Sequence, residues 1–314
     1  MLASVCPRYG PPEVGQLRDL EIPVAGPDDV IVRVRAATVS AADYALMTAE
    51  ILAVRLMFGW RGPRAEVMGN EAAGVIASIG AAVTDFVVGD HVVVLSPKTQ
   101  GAHAEYLRVA ASGLIARTTD ALPFAHRAAL LEAGTAVKFF RDIRPVQPGE
   151  RVLINGASGA VGCTAVQLAA HYGAHVTAVC SARNTALVRS LGAHEVLDYA
   201  ATDFTRGTER FDVVLDAVGT RTFREVSRVL TPTGMMLATK PSAGVLLAML
   251  LTRRARFAPT GLMQSRADLV ALVELMESGT LRATIEESFA LPNIAAALRL
   301  VGTGHKRGSV VVTM

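Results

Sequence analysis

The 314-residue sequence predicts an α/β protein in which a β-rich unit is interrupted by a doubly wound domain with a parallel sheet. Three observations carry this. Short β-like segments fill the first 115 residues, strands and helices alternate strictly from about residue 150, and the last segment is an apolar strand in need of a partner.

In the first part, residues 30–36 alternate apolar and arginine side chains, the period-two mark of a half-buried strand. Residues 74–80, 91–95 and 103–109 are further short strands bounded by Gly, Pro, Asp and Ser. Such strands predict a small barrel-like unit. Near residue 120 the texture changes. Residues 122–131 and 135–143 have helical spacing, closed by Pro145 and Pro148.

The alternation then begins. Residues 151–155, 175–180, 195–198, 212–216 and 235–239 are strand candidates, with 256–259 as a sixth. Residues 161–172, 184–191 and 221–230 are the helices between them. The strands are near-continuous apolar runs, as expected where helices cover both faces of a parallel sheet. From residue 262 a helix (266–278), a strand (284–290), a helix (294–301) and a final strand (309–314) follow. The last strand pairs most simply with the N-terminal β unit. The expected division is 1–119, 120–261 and 262–314, the middle part being an insertion.

Composition excludes several classes. Only 19% of residues are charged and 51% are apolar, which is core material and not a disordered chain. A net charge of +3 suggests no nucleic-acid partner. Cys6, Cys163 and Cys180 show no disulfide or metal spacing and are expected to be buried and reduced. No signal peptide is visible. The most apolar run, residues 243–251, is far shorter than the roughly 20 residues of a membrane span and is expected to be a buried helix near an interface. Arg253, Arg254 and Arg256 follow it. The expectation is a cytoplasmic protein without stable membrane insertion.

The sharpest motif is Asn155-Gly156-Ala157-Ser158-Gly159-Ala160-Val161-Gly162, between a strand and a helix. A pyrophosphate needs a tight turn, a residue without a side chain for close approach, and N–H groups at a helix start. Gly159 and Gly162 match the last two glycines of the dinucleotide fingerprint, with Ala157 at the first position. After the second strand the chain reads Cys180-Ser181-Ala182-Arg183-Asn184. An NAD enzyme usually places a carboxylate here, about 20 residues after the loop, to hold the ribose hydroxyls. Without it nothing repels a 2′-phosphate. Arg183 offers a charged fork and Ser181 a neutral donor, which predicts NADPH.

The sequence resembles the zinc-free quinone oxidoreductase branch of the medium-chain dehydrogenase/reductase superfamily. The resemblance spans essentially the whole chain. Its carriers are Gly89-Asp90, Ala104-Glu105-Tyr106, Pro148 through Ile154, the glycine-rich loop, Leu191-Gly192-Ala193, and Gly304 through Gly308. It implies a GroES-like β-barrel-type domain carrying an inserted Rossmann domain. It also implies pyrophosphate over Ser158, Gly159, Ala160 and Val161, nicotinamide near Ser40, Thr135 and Lys240, and Arg183 and Tyr199 flanking the adenosine phosphate. Val218, Thr239 and Lys306 complete the implied cofactor set.

The catalytic zinc ligands of the superfamily's alcohol dehydrogenases align with Ser40, Asn70 and roughly Leu131, which do not build a zinc site. Without a metal or a base to stabilise an alkoxide, the expected acceptor is a quinone or conjugated carbonyl compound. Relatives commonly carry Asn-Pro-x-Asp where this chain reads Ser40-Ala41-Ala42-Asp43. Ser40 and Tyr44 are therefore the candidate catalytic residues, Tyr44 being equally readable as a packing residue. Asp43 and Glu71 are read as structural carboxylates. Residues 60–68 and 243–251 would govern acceptor choice. Two other readings stay open: an enoyl or tailoring reductase of a biosynthetic pathway, and a non-enzymatic NADPH-binding protein that is structural or membrane-associated. The resemblance also implies a homodimer formed through sheet edges.

Overall fold

The computed structural model describes residues 1–49, 52–97, 99–240, 242–257 and 265–314. These fall into two compact units, one within Met1–Glu132, Gln264–Ser278 and Ala283–Met314, the other within Ala133–Met263 and Gly279–Arg282. The first unit begins with β1 (Leu2–Val5), β2 (Gln16–Asp19), β3 (Asp29–Thr38), β4 (Glu71–Ile79), β5 (His91–Leu95), β6 (Tyr106–Ala110) and β7 (Leu114–Arg117). The second unit holds β8 (Arg151–Asn155), β9 (His175–Cys180), β10 (Glu195–Asp198), β11 (Phe211–Asp216), β12 (Leu230–Ala238) and β13 (Ala255–Phe257). Strands β14 (Ile285–Ala290) and β15 (Ser309–Thr313) return to the first.

The helices, in chain order, are α1 (Ala41–Thr48), α2 (Leu52–Phe58), α3 (Phe124–Leu131), α4 (Gly134–Val137), α5 (Ala160–His171), α6 (Thr185–Ser190), α7 (Phe223–Val226), α8 (Ala243–Leu251), α9 (Arg266–Glu277) and α10 (Ile294–Gly302). The helix expected at 135–143 is α4 followed by a π-helical stretch, Lys138–Ile143.

In the first unit a seven-stranded sheet runs β14-β15-β3-β4-β5-β7, with β6 also paired to β3. The alternation at Arg33 and Arg35 puts both outward while Val32 and Val34 enter the core. The final strand pairs antiparallel with β3, Val311 opposite Thr38. Helix α3 packs on β3 and β4, so this unit reaches Glu132, past the change of texture near residue 119.

The second unit carries a six-stranded sheet in the order β10-β9-β8-β11-β12-β13, every pair parallel. Numbered from its first strand this is 3-2-1-4-5-6, the doubly wound order. The order reverses between β8 and β11, the position beyond whose strand ends doubly wound sheets take their ligands. Leu153, Val179, Val214, Met236 and Ala238 bury one core of this sheet.

Several local expectations change. The helix expected over 221–230 is only the turn Phe223–Val226, because Leu230 already pairs with Phe211 and β12 bulges before Met235. Strands β1, β2 and β7 and helices α1 and α2 lie in stretches without clear periodicity. Residues 258 and 259 of the sixth strand, and the boundary near 261, lie outside the described residues. Residues 243–251 form α8, but the helix is not buried. Val245 and Ala248 face the core, whereas Leu246, Leu247, Leu250 and Leu251 are exposed, Leu250 at 84%. No described helix is long and apolar enough to cross a membrane.

Candidate dinucleotide site and catalytic residues

The loop between β8 and α5 is built by glycines with separate tasks. Gly156 takes φ +82°, a left-handed turn that L side chains rarely adopt. It therefore makes the tight turn one position before Ala157, which the sequence aligns with the first glycine of the fingerprint. The N–H groups of Gly156 and Ala157 both donate to the Val179 carbonyl at 3.0 Å, pinning the loop to β9. A Cβ on Gly162 would stand 2.1 Å from the Gly156 carbonyl oxygen, so close helix–loop packing requires glycine there. At Gly159 a Cβ would meet no protein atom closer than 3.5 Å. That space is open to a ligand. Gly159 is the N-cap of α5, and Ala160 and Val161 begin the helix, where N–H groups and the dipole favour an anion.

Around this loop the strand ends bring several expected residues together. Ser158 and Ser181 are half-buried, and Arg183 is exposed on the short turn Ala182–Asn184. Tyr199, 51% exposed, follows β10, and its N–H donates to the Cys180 carbonyl at 3.2 Å. Val218 follows β11, and Thr239 and Lys240 follow β12. Thr135 is buried in α4 of the same unit. No carboxylate occupies Ser181 through Asn184, so this donor set fits a phosphorylated dinucleotide.

Asp216, not singled out from sequence, organises the strand ends at this reversal. It is fully buried at the end of β11. Its Oδ1 accepts from Asn155 Nδ2 at 3.0 Å, Gly219 N at 2.9 Å and Val218 N at 3.1 Å, while Oδ2 accepts from Arg221 N at 3.1 Å. Its carbonyl accepts from Thr239 N at 3.1 Å. The carboxylate thus ties the end of β8 to the turn after β11, and the carbonyl of the same residue ties in the end of β12. An acid closing the apolar run Val213-Val214-Leu215 is its only signal in the sequence.

Ser40, Tyr44 and Lys306 belong to the first unit. Ser40 caps α1 in a reciprocal box. Its hydroxyl donates to Asp43 Oδ2 at 2.7 Å, and its oxygen accepts from Asp43 N at 3.2 Å. Tyr44 packs against α10, since a Cβ on Gly302 would fall 2.4 Å from its ring and 3.0 Å from its hydroxyl. Lys306 Nζ donates to the Gly308 carbonyl at 2.7 Å and lies 3.6 Å from Glu132 Oε1. Nearby, Thr38 Oγ1 donates to Glu71 Oε2 at 2.5 Å. Burial, then the neighbouring Glu132, pushes the Glu71 carboxyl up to about 8. Cys6, Cys163 and Cys180 are buried and in no disulfide, and burial pushes the Cys6 and Cys180 thiols up to about 11. These two are inert at neutral pH.

Residues 26–120 match the alcohol dehydrogenase GroES-like domain, and residues 191–312 match a family described as zinc-binding dehydrogenase. A chloroplastic quinone-oxidoreductase homolog of Spinacia oleracea is 30% identical, covering 94% of this chain and 93% of that protein. The chain belongs to the quinone oxidoreductase branch of the medium-chain dehydrogenase/reductase superfamily. A 2-haloacrylate reductase of a Burkholderia species is 31% identical over 78% of this chain and 80% of its own length. The quinone oxidoreductase of Coxiella burnetii superposes with a TM-score of 0.88 at 27% identity, covering 100% of this chain and 99% of that one.

The positions aligned in sequence with catalytic zinc ligands are Ser40, Asn70 and roughly Leu131. Ser40 spends its hydroxyl on a helix cap, Leu131 is an apolar side chain 2% exposed, and Asn70 supplies only a carboxamide. That donor set does not fit zinc. Among the described residues no group of three or more His, Cys, Asp or Glu side chains is placed to hold a metal ion.

Proposed function

We propose that this family member is a zinc-independent oxidoreductase that uses NADPH to reduce a quinone or an α,β-unsaturated carbonyl compound. The observation that carries the cofactor choice is the edge after β9, where Ser181 and Arg183 stand in place of a carboxylate beside the phosphate loop. The helix start at Gly159 through Val161 would hold the pyrophosphate, and Ser181, Arg183 and Tyr199 the phosphorylated adenosine. Val218, Thr239 and Lys240, at the strand ends that Asp216 ties together, would take the nicotinamide half with Thr135. When bound, the reduced nicotinamide supplies hydride to an electron-poor carbon.

The donor set at Ser40, Asn70 and Leu131 supports the acceptor class. It offers nothing to stabilise an alkoxide, whereas a conjugated acceptor needs only hydride and a later proton. We assign Tyr44 to packing and Lys306 to fastening the loop before β15, from their contacts with Gly302 and Glu132. An enoyl-type reductase is the second reading, favoured by the kinship with a 2-haloacrylate reductase, whose name implies a conjugated acid as substrate.

A cytoplasmic homodimer belongs to the same reading. Among the described residues β13 pairs with β12 alone, and the exposed leucines of α8 stand beside that free edge.

Steady-state oxidation of NADPH and NADH with a panel of quinones and enones tests the function. Turnover with NADPH is expected, and Arg183→Ala should weaken NADPH far more than NADH. Equal losses would overturn the cofactor assignment, and tight NADPH binding without any turnover would favour a binding protein.

A further inference from the structure

Asn184 is 4% exposed and joins the turn Ala182–Asn184 to α6. An asparagine before a helix ordinarily turns its side-chain oxygen onto a backbone N–H of the first turn. Asn184 makes no such bond. Its Nδ2 instead donates to Ser158 Oγ at 2.9 Å and to Ser181 Oγ at 3.2 Å. The two hydroxyls come from different loops, Ser158 from the phosphate loop and Ser181 from the end of β9.

A serine hydroxyl has one hydrogen and two lone pairs. Where its oxygen accepts from Asn184, its hydrogen points away from the amide and is free to donate elsewhere. Both serines are half-buried. Asn184 Oδ1 is buried without a hydrogen-bond partner, so the side chain is oriented for its two donor bonds at the expense of its acceptor.

We propose that Asn184 is a positioning residue that turns Ser158 and Ser181 into a pair of donors for two anionic groups of one dinucleotide, the pyrophosphate and the 2′-phosphate. The inference rests on the NADPH reading and adds a residue on which both phosphate contacts depend. It also explains how a neutral serine serves where relatives that bind the unphosphorylated dinucleotide use an acid. The acid accepts from ribose hydroxyls, and an oriented serine donates to phosphate.

Asn184→Asp tests this at constant shape. A carboxylate has no hydrogens and must accept from both hydroxyls, turning them inward and adding negative charge. Expected are a rise in KM for NADPH of at least tenfold, kcat within twofold of wild type, and a smaller rise in KM for NADH. Calorimetric titration of the intact protein with NADPH should give the same ordering. Asn184→Asp binding NADPH within twofold of wild type would overturn the proposal, because the hydroxyls would then already point inward.

If the Asp variant folds poorly, a mutant cycle with Asn184→Ala decides. The effect of Asn184→Ala on NADPH affinity should vanish in a Ser158→Ala, Ser181→Ala background. An undiminished effect there would mean that Asn184 acts by another route. Wild-type protein that binds no NADPH would remove the cofactor reading itself, a result distinct from a tolerated Asn184→Asp.

Discussion

Asn155 Nδ2 donates to Asp216 Oδ1 at 3.0 Å, tying the C-terminal ends of β8 and β11 where the strand order reverses. The same oxygen receives the Val218 and Gly219 N–H groups, so the carboxylate fixes the turn after β11 as well as joining the two strand ends. Asp216→Asn keeps the volume, removes the charge and sets an amide N–H₂ against one of these donors. Each charge-assisted bond is worth about 1.5–3 kcal/mol. Urea unfolding should therefore show a loss of about 2–4 kcal/mol, accompanied by weaker dinucleotide binding. A variant within about 0.5 kcal/mol of wild type, the scatter of ordinary surface substitutions, would remove Asp216 from this role.

The glycines of the phosphate loop should separate folding from binding. Gly162→Ala places a methyl 2.1 Å from a backbone oxygen, and overpacking of this kind costs about 1–3 kcal/mol. Its melting temperature should fall. Gly159→Ala meets nothing closer than 3.5 Å, at an ordinary φ of −79°. It should melt like wild type and yet raise the KM for NADPH severalfold with kcat little changed. Unaltered NADPH affinity in that variant would show that the open space at Gly159 is not where the pyrophosphate approaches.

Glu71 predicts a pH dependence of stability. Burial raises its carboxyl to about 8, from an ordinary 4.5, with Glu132 and Asp43 acting in the same sense and Thr38 and Lys306 against it. His103, whose Nε2 pairs with the Thr38 carbonyl at 2.8 Å, completes the polar surroundings. Because the folded chain holds this proton more tightly than the unfolded chain, the contribution is full below about 4.5 and is lost as pH rises towards about 8. Glu71→Gln stays neutral throughout. Its melting temperature should match wild type near pH 4 and exceed it near pH 9, in calorimetric scans across that range. Parallel curves for the two proteins would refute a protonated Glu71.

The donor set at Ser40, Asn70 and Leu131 predicts the outcome of metal analysis. Elemental analysis of the purified protein should give no stoichiometric zinc, and prolonged chelation should leave NADPH oxidation unchanged. One equivalent of metal per chain, removed together with activity, would overturn the assignment.

Much of the inserted sheet is legible in the amino-acid sequence. Residues 151–155, 175–180 and 195–198 are strands with the expected bounds, because short runs spaced by helical segments in strict alternation mark a parallel sheet covered by helices. The first unit is less legible. Strands β1, β2 and β7 are four residues each, too short for a periodicity to declare itself. Helix α8 reads as buried because its composition is uniformly apolar, but composition cannot say which face meets the sheet.

The amino-acid order alone determined that a glycine-rich turn joins a buried strand to a helix, and that no acid follows the next strand, since both depend on neighbours along the chain. Only the folded arrangement decided that Asp216 meets Asn155, 61 positions earlier, and that Asn184 meets Ser158, 26 positions earlier. Those bonds exist because strand order brings distant loop ends together at one edge of the sheet. A hydrogen bond between side chains of separate loops leaves no periodic trace in the sequence that makes it.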